Sequence, residues 1–509
     1  MPAVVLSAAT LGIDAYLVHV EVDTDRQLPS FTVVGLPDSA VRESKERVMA
    51  ALRNAGYEWP RRRVTVNLAP ADIRKEGSAF DLPIAVGILA ASGQLRPSRL
   101  GDFALVGELS LDGALRPVHG ALSAALGLKA RGTHGMILPQ ANAPEAALAA
   151  GPLIYGVATL TQAVDLLEGD CRLAPFTADL DALFNPTLQH EADFAEVCGQ
   201  EHAKRALEVA AAGGHSVLLS GPPGSGKTLL ARRLPSILPA LSMEEALNAT
   251  QIYSAAGLLP ADQPLVVTRP FRAPHHTISD AGLIGGGACP RPGEVSLAHH
   301  GVLFLDELPE FKRTVLEALR QPLEDHTVTI ARAAFSLTYP ARFMLVAAMN
   351  PCPCGFLGDS YHPCTCSPSL IRRYRARLSG PLLDRLDLHV EVPALSYPEI
   401  FARQGGESST QIRQRVEAAR QRQRARFAQQ PGFFCNAQLR PRQLRACCAL
   451  TGKGEELLRA ASTRLGLSAR AHDRILKVAR TIADLGGIDH IQAQHLSEAI
   501  QYRSLDRRG

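Results

Sequence analysis

Eight consecutive residues, Gly221, Pro222, Pro223, Gly224, Ser225, Gly226, Lys227 and Thr228, match the phosphate-cradling pattern G-x-x-x-x-G-K-[ST]. Glycines let the backbone wrap a phosphate, and amide N–H groups at the start of a helix add donors and a positive dipole end. In such a loop Lys227 reaches the β- and γ-phosphates of a nucleotide, and the Thr228 hydroxyl holds Mg²⁺. A second stretch, Gly-Val-Leu-Phe-Leu-Asp-Glu at 301–307, ends an apolar run on two acids. Asp306 suits the Mg²⁺, directly or through water, and Glu307 is placed to polarise an attacking water. A third, Phe-Met-Leu-Val-Ala-Ala-Met-Asn at 343–350, ends on Asn350. Its amide could orient the water or touch the γ-phosphate, although asparagine after a strand is also a common turn former. The cofactors this chemistry asks for are ATP and Mg²⁺.

Other residues offer metal or phosphate contacts. Cys352, Cys354, Cys364 and Cys366 form two C-x-C pairs nine residues apart. Four thiolates could close a tetrahedral site, and soft ligands favour a structural Zn²⁺. His362 is an alternative fourth ligand, and reduced thiols in a Gly/Pro loop are the other reading. Arg372, Arg373, Arg375 and Arg377 surround Tyr374 in an expected helix over 369–377. These arginines could bind DNA phosphates with the tyrosine stacked on a base, or pair with acids at a subunit interface. His275 and His276 could ligate a metal, but hydrogen bonding within their loop suits them better. The run 413–426, rich in Arg and Gln, reads as a solvated helix face.

The elements that must position these groups divide the chain. Its 509 residues suggest about three domains, and a hydrophobic fraction of 46% excludes wholesale disorder. Residues 1–170 mix short strands at 31–34, 64–67 and 136–139 with alanine-rich helices. Residues 171–191 read as a linker. Over 192–395 strands and helices alternate as in a parallel α/β sheet, with a cysteine-containing insert at 351–380. Residues 396–509 turn helical, with expected helices at 411–429, 440–448, 455–465, 469–485 and 493–503.

No run is long and apolar enough for a membrane span. Asp14, Glu21, Asp23 and Asp25 interrupt the start where a signal peptide needs an apolar core, so a cytoplasmic location is expected. The net charge of +4 hides an asymmetry. Residues 401–509 carry 20 Lys/Arg against 9 Asp/Glu, leaving 34 against 41 elsewhere. A basic end on an acidic body hints at a polyanionic partner, or at solvated helix faces.

The P-loop, the Asp-Glu strand and the Asn-tipped strand, in this order, resemble the AAA+ ATPases. Leu-Glu-Asp at 323–325, Pro-Ala-Arg-Phe at 340–343, Met-Asn-Pro at 349–351 and Pro-Leu-Leu-Asp-Arg-Leu-Asp-Leu-His-Val-Glu-Val at 381–392 are similar to the magnesium-chelatase branch; 295–389 also resembles the MCM helicases. The resemblance makes Arg385 an arginine finger supplied to a neighbouring subunit's γ-phosphate, which demands a ring, and by that resemblance a hexamer. It makes Arg470, in 467–484, the sensor-2 phosphate-sensing residue. It also turns the hairpin expected at 327–339 towards a pore, with Arg332 near its turn as a DNA contact. In the N-terminal part, 36–48, 75–85 and 107–120 resemble a Lon-protease-like (S5-type) α+β domain. Lon proteases use a Ser–Lys pair, but here Ser78 lacks the usual context and Leu122 stands where the lysine falls, so a non-proteolytic domain is expected.

A Lon-like domain, a chelatase-type AAA+ module and a helical C-terminal domain together resemble the ComM (YifB) family over nearly the whole chain. The resemblance implies a cytoplasmic hexameric DNA helicase acting on single-stranded and branched DNA. It would promote branch migration while incoming DNA is recombined during natural transformation. The rival expectations are a chelatase-type ATPase that remodels a protein or tetrapyrrole-metal partner, and a protease.

Overall fold

Strands with one buried face alternate their side chains, and those near the N-terminus do so. In β2 (Asp14–Asp25) Val18, Val20 and Val22 are fully buried, as are Val64, Val66 and Leu68 in β4 (Arg63–Ala69), while the intervening residues are not. The computed structural model describes the whole chain except residues 1, 74, 76, 97–98, 171–172, 185–191, 261, 288–289, 333–334, 397–405, 431, 451 and 504–509, and the side chains at 181, 332 and 335. Much of the expected linker at 171–191 therefore lies outside the described residues. Among these, no helix is long and apolar enough to cross a membrane.

The described chain forms two compact units, one of Met1–Pro186 with Ser242–Val267 and one of Thr187–Leu241 with Thr268–Gly509. The first is built on a seven-stranded mixed sheet. With β1 (Ala3–Leu11), β3 (Ser30–Val34), β5 (Phe103–Leu105), β6 (Gly135–Pro139) and β7 (Leu153–Val157), its order is β3-β4-β2-β1-β5-β6-β7. β1 pairs antiparallel with β2, and β2 with β4, whereas β3–β4, β1–β5, β5–β6 and β6–β7 are parallel. Helix α1 (Asp81–Ser92) is buried through Leu82, Ile84, Val86, Ile88 and Leu89, and Gly93 ends it in a left-handed cap.

The segment Ser242–Val267 belongs to this first unit although it falls inside the span 192–395 expected for the ATPase. Its helix α3 (Met243–Ala256) starts on a Ser242–Glu245 capping box and packs on α2 (Ala121–Ala130). Small residues permit that approach: Gly120 N–H donates to the Ser254 carbonyl at 3.2 Å, and the Ser254 hydroxyl bonds Glu145. Gln251 Nε2 donates to the Ile13 carbonyl at 2.7 Å.

The second unit holds five strands, and the three inner ones are buried along their whole length and read as apolar runs, as parallel sheets require. The five are β8 (Val217–Ser220), β9 (Phe271–Arg272), β10 (Val302–Leu305), β13 (Met344–Met349) and β14 (Leu388–Glu391), ordered β9-β10-β13-β8-β14, all parallel. The expected hairpin is present as β11 (Thr327–Arg332) and β12 (Phe335–Pro340). Helices α4 (Glu201–Gly213), α7 (Ser409–Arg426), α8 (Gly452–Leu465), α9 (Ala469–Leu485) and α10 (Ala493–Gln501) share the apolar core of the five-stranded sheet. A boundary after 395 was expected, yet Ile412, Val416, Ile475, Val478, Ile482 and Leu496 share one apolar core with Val217, Val346 and Leu388. Burial of a common core holds the C-terminal helices to the sheet.

Candidate active site

β8 enters the glycine-rich loop with both flanks hydrogen-bonded to parallel neighbours, so the loop opens at the carboxyl edge where such sheets bind ligands. Gly224 (φ +78°) and Gly226 (φ +90°) hold the left-handed backbone the turn needs. A side chain on Gly221 would come within 2.0 Å of the Val392 carbonyl oxygen. The helix α5 (Lys227–Arg233) follows at once.

The sheet order sets β13 between β8 and β10, which brings the three sequence stretches together. Lys227 Nζ donates to the carbonyls of Gly221 and Pro222 at 2.7 Å each and lies 3.3 Å from Asn350 Oδ1. Burial pushes its ammonium below lysine's ordinary pKa, opposed by the charge of Asp306. The Thr228 hydroxyl donates to Asp306 Oδ2 at 2.7 Å. A hydroxyl and a carboxylate side by side are the hard oxygen donors Mg²⁺ prefers. Gln200, which sequence reasoning passed over, props the loop by donating to the carbonyls of Ser225 (3.2 Å) and Pro393 (2.7 Å).

Glu307 sits at φ +52°, a conformation uncommon for a residue with a side chain. Its N–H donates to Asp306 Oδ1 at 2.9 Å, and its exposed carboxylate lies 3.6 Å from His276 Nδ1. His276 stacks on His275, whose Nδ1 is 2.9 Å from the Thr277 hydroxyl. The two histidines thus serve loop contacts, one of them with Glu307.

Arg385 and Arg470 meet on one carboxylate. Buried Arg385 donates to the Pro381 carbonyl at 2.6 Å and pairs with Glu324, and the exposed Arg470 approaches the same Glu324 oxygen at 3.5 Å. The Arg385 hydrogen bond, first, holds the Glu324 carboxyl below its usual range. Sequence reasoning saw Glu324 only as part of a motif, because its role needs two arginines distant in sequence. Behind Arg385 runs a buried network. Arg474 donates to the Arg385 carbonyl (2.6 Å) and to Asp387 (2.5 Å), Asp387 lies 3.3 Å from His215 Nδ1, and His215 Nε2 is 2.8 Å from the Thr481 hydroxyl.

Cys352, Cys354, Cys364 and Cys366 are brought together, their sulfurs all within 4.8 Å of one another. His362 is not among them: its Nδ1 and N–H face Asp359 Oδ2 at 3.1 Å and its ring lies on Phe356. The arginine helix, α6 (Pro368–Arg375), divides its residues. Arg372 and Arg373 are exposed, Arg375 donates to the Pro351 carbonyl (3.4 Å), and Arg377, just past the helix and also exposed, donates to Glu310 (2.8 Å). Tyr374 is buried, so it offers no face for a base, contrary to the expected stacking. Arg332 ends β11; its side chain is outside the described residues, as is the hairpin's turn. The run 413–426 is not simply solvated: Arg420 is buried and donates to the Phe434 and Ala211 carbonyls. In the first unit Leu122 is buried, and the Ser78 hydroxyl bonds Glu108.

Residues 193–400 match the family model for magnesium chelatase, subunit ChlI; residues 20–142 match that for subunit ChlI of Mg-chelatase, and 406–503 that for its C-terminal part. The chain is 47% identical to YifB of Escherichia coli (strain K12) over 507 residues, 99% of this chain and 97% of that protein. It is 46% identical to the competence protein ComM of Haemophilus influenzae over 512 residues, covering 99% and 98%. With the magnesium-chelatase 38 kDa subunit of Rhodobacter capsulatus it shares 25% over 329 residues, 60% of this chain and 84% of that one.

Proposed function

This chain belongs to the ComM/YifB family of magnesium chelatase-like AAA+ proteins, and from that premise we propose that it is a ring-forming, ATP-driven DNA helicase. It moves DNA branches while incoming DNA is recombined during natural transformation, in line with the name of its competence-protein relative. The observation that carries the ATPase part is the meeting of Thr228 with Asp306 and of Lys227 with Asn350 across neighbouring strands. Lys227 exchanges its two loop carbonyls for β- and γ-phosphate oxygens. Thr228 and Asp306 would hold Mg²⁺, which would neutralise charge developing on the phosphates. Glu307 takes a proton from the attacking water, Asn350 orients that water, and the bond between the β–γ bridging oxygen and the γ-phosphorus breaks to leave ADP and phosphate. A Zn²⁺ at the four cysteines completes the cofactors.

Arg385 and Arg470 touch Glu324 rather than the P-loop of their own chain, which supports a site completed by a neighbour. Such a head-to-tail interface closes into a ring, and six subunits fit the family. Exposed Arg372 and Arg373, with Arg332, are the DNA-phosphate contacts of this reading. The 25% relative supports a second reading, a chelatase-type ATPase that remodels a protein or tetrapyrrole-metal partner. ATP turnover measured with and without forked and four-way-junction DNA at low salt separates the two. DNA-stimulated hydrolysis with junction movement is expected; neither effect at any DNA concentration leaves the chelatase-type reading.

A further inference from the structure

The loop after Asn350 is built as a metal knuckle. Cys352 Sγ lies 3.3 Å from Cys354 Sγ and 3.7 Å from Cys364 Sγ, and Cys354 Sγ is 3.6 Å from Cys364 Sγ. A zinc–sulfur bond of about 2.3 Å puts the corners of a tetrahedron about 3.8 Å apart, whereas a disulfide needs about 2.05 Å. A backbone amide points into the cluster: Cys354 N–H donates to Cys366 Sγ at 3.4 Å. Amide donors are what thiolate ligands need to spread their charge.

The knuckle touches the nucleotide loop. Gly355 follows Cys354 in a left-handed conformation (φ +88°), and a Cβ there would lie 2.6 Å from Pro223 Cδ. Pro223 belongs to the glycine-rich loop, and Asn350, two residues before the first cysteine, faces Lys227. Arg375 braces the joint from the other side through the Pro351 carbonyl.

We propose that Cys352, Cys354, Cys364 and Cys366 hold one structural Zn²⁺ as thiolates, and that this knuckle is a strut fixing Pro223 and Asn350 so that the loop binds nucleotide. The strut's effect on nucleotide rests on the ATPase reading above; the zinc site does not. Metal analysis of the full chain, purified without immobilised metal, is expected to give about one zinc per chain. Replacement by Co²⁺ should give thiolate-to-cobalt charge transfer and the visible bands of a tetrahedral centre. Cys364→Ser and Cys366→Ser should lose the metal and bind a fluorescent ATP analogue roughly 10-fold more weakly. Should those variants fail to fold, Gly355→Ala keeps all four thiols; it should retain zinc yet weaken the analogue, since its Cβ displaces Pro223. Protein that takes up no zinc or cobalt when exposed to either overturns the site. Zinc-loaded Gly355→Ala that binds the analogue like the parent overturns the strut. None of these measurements uses DNA, so a failure to move junctions bears on the helicase reading and not on this one.

Discussion

Glu307 and Asp306 are adjacent acids with different partners, and the backbone makes the difference. Asp306 turns to the Thr228 hydroxyl, while Glu307, at φ +52°, presents an exposed carboxylate beside His276. Holding a side-chain-bearing residue left-handed costs on the order of 1 kcal/mol, and such strain gathers at functional sites. Glu307→Gln keeps the shape and removes the base. Single-turnover hydrolysis should fall roughly 10²- to 10⁴-fold while equilibrium ATP binding is retained; turnover at the parent rate would move the base elsewhere, with His276, 3.6 Å from the carboxylate, the next group to replace. At this scale the sequence was informative wherever one short stretch carries the chemistry, as in the loop from Gly221 to Thr228. It was silent where a role is made by residues far apart. Glu324 acquires its role only when the fold lays Arg385 and Arg470 against it, and Gln200 only when Ser225 and Pro393 come within reach.

Helix α9 shows the same division among elements. Its span, Ala469–Leu485, was legible to the residue at both ends, because Ser468 caps it and its apolar residues recur at helical spacing. Periodicity could not show that its buried face also carries polar wiring. Arg480 and Asp484 are almost wholly buried and paired, Arg426 joins Asp484, and Arg474 and Thr481 reach Asp387 and His215. Burial raises the pKa of the Asp387 carboxyl, but Arg474 and then His215 outweigh it and hold the group well below its usual range. That network joins α9 to the stretch carrying Arg385. Asp387→Ala leaves the half-buried Arg474 without its carboxylate and His215 without its partner, so it should lower the unfolding free energy by about 2–4 kcal/mol. Urea denaturation of parent and variant at neutral pH checks this; a loss within 1 kcal/mol, roughly that of an exposed pair, would make the network incidental.

Across the whole molecule, the basic C-terminal end changes meaning once its arginines are located. Arg420, Arg426, Arg474, Arg480 and Arg503 are spent on carbonyls and carboxylates inside the second unit. Five of the twenty basic residues over 401–509 are therefore internal wiring, and the charge excess supports a DNA partner less than its sum suggested. At the scale of an assembly the telling pair is the buried Arg385 and the exposed Arg470, which share Glu324. If those arginines serve a neighbour's nucleotide, two inactive variants must rescue each other. A Lys227→Ala subunit lacks the loop lysine but still offers Arg385; an Arg385→Ala subunit lacks the finger but keeps its own loop. In randomly mixed rings at equal amounts, a sound loop faces a sound finger at about a quarter of the interfaces, since each condition holds about half the time. Each variant alone should hydrolyse ATP at background, and the mixture should recover up to about a quarter of parent turnover, rising with time as subunits exchange. Mixed rings, verified by pull-down of a tagged variant, that stay at background would place the arginine and the loop it serves in the same chain.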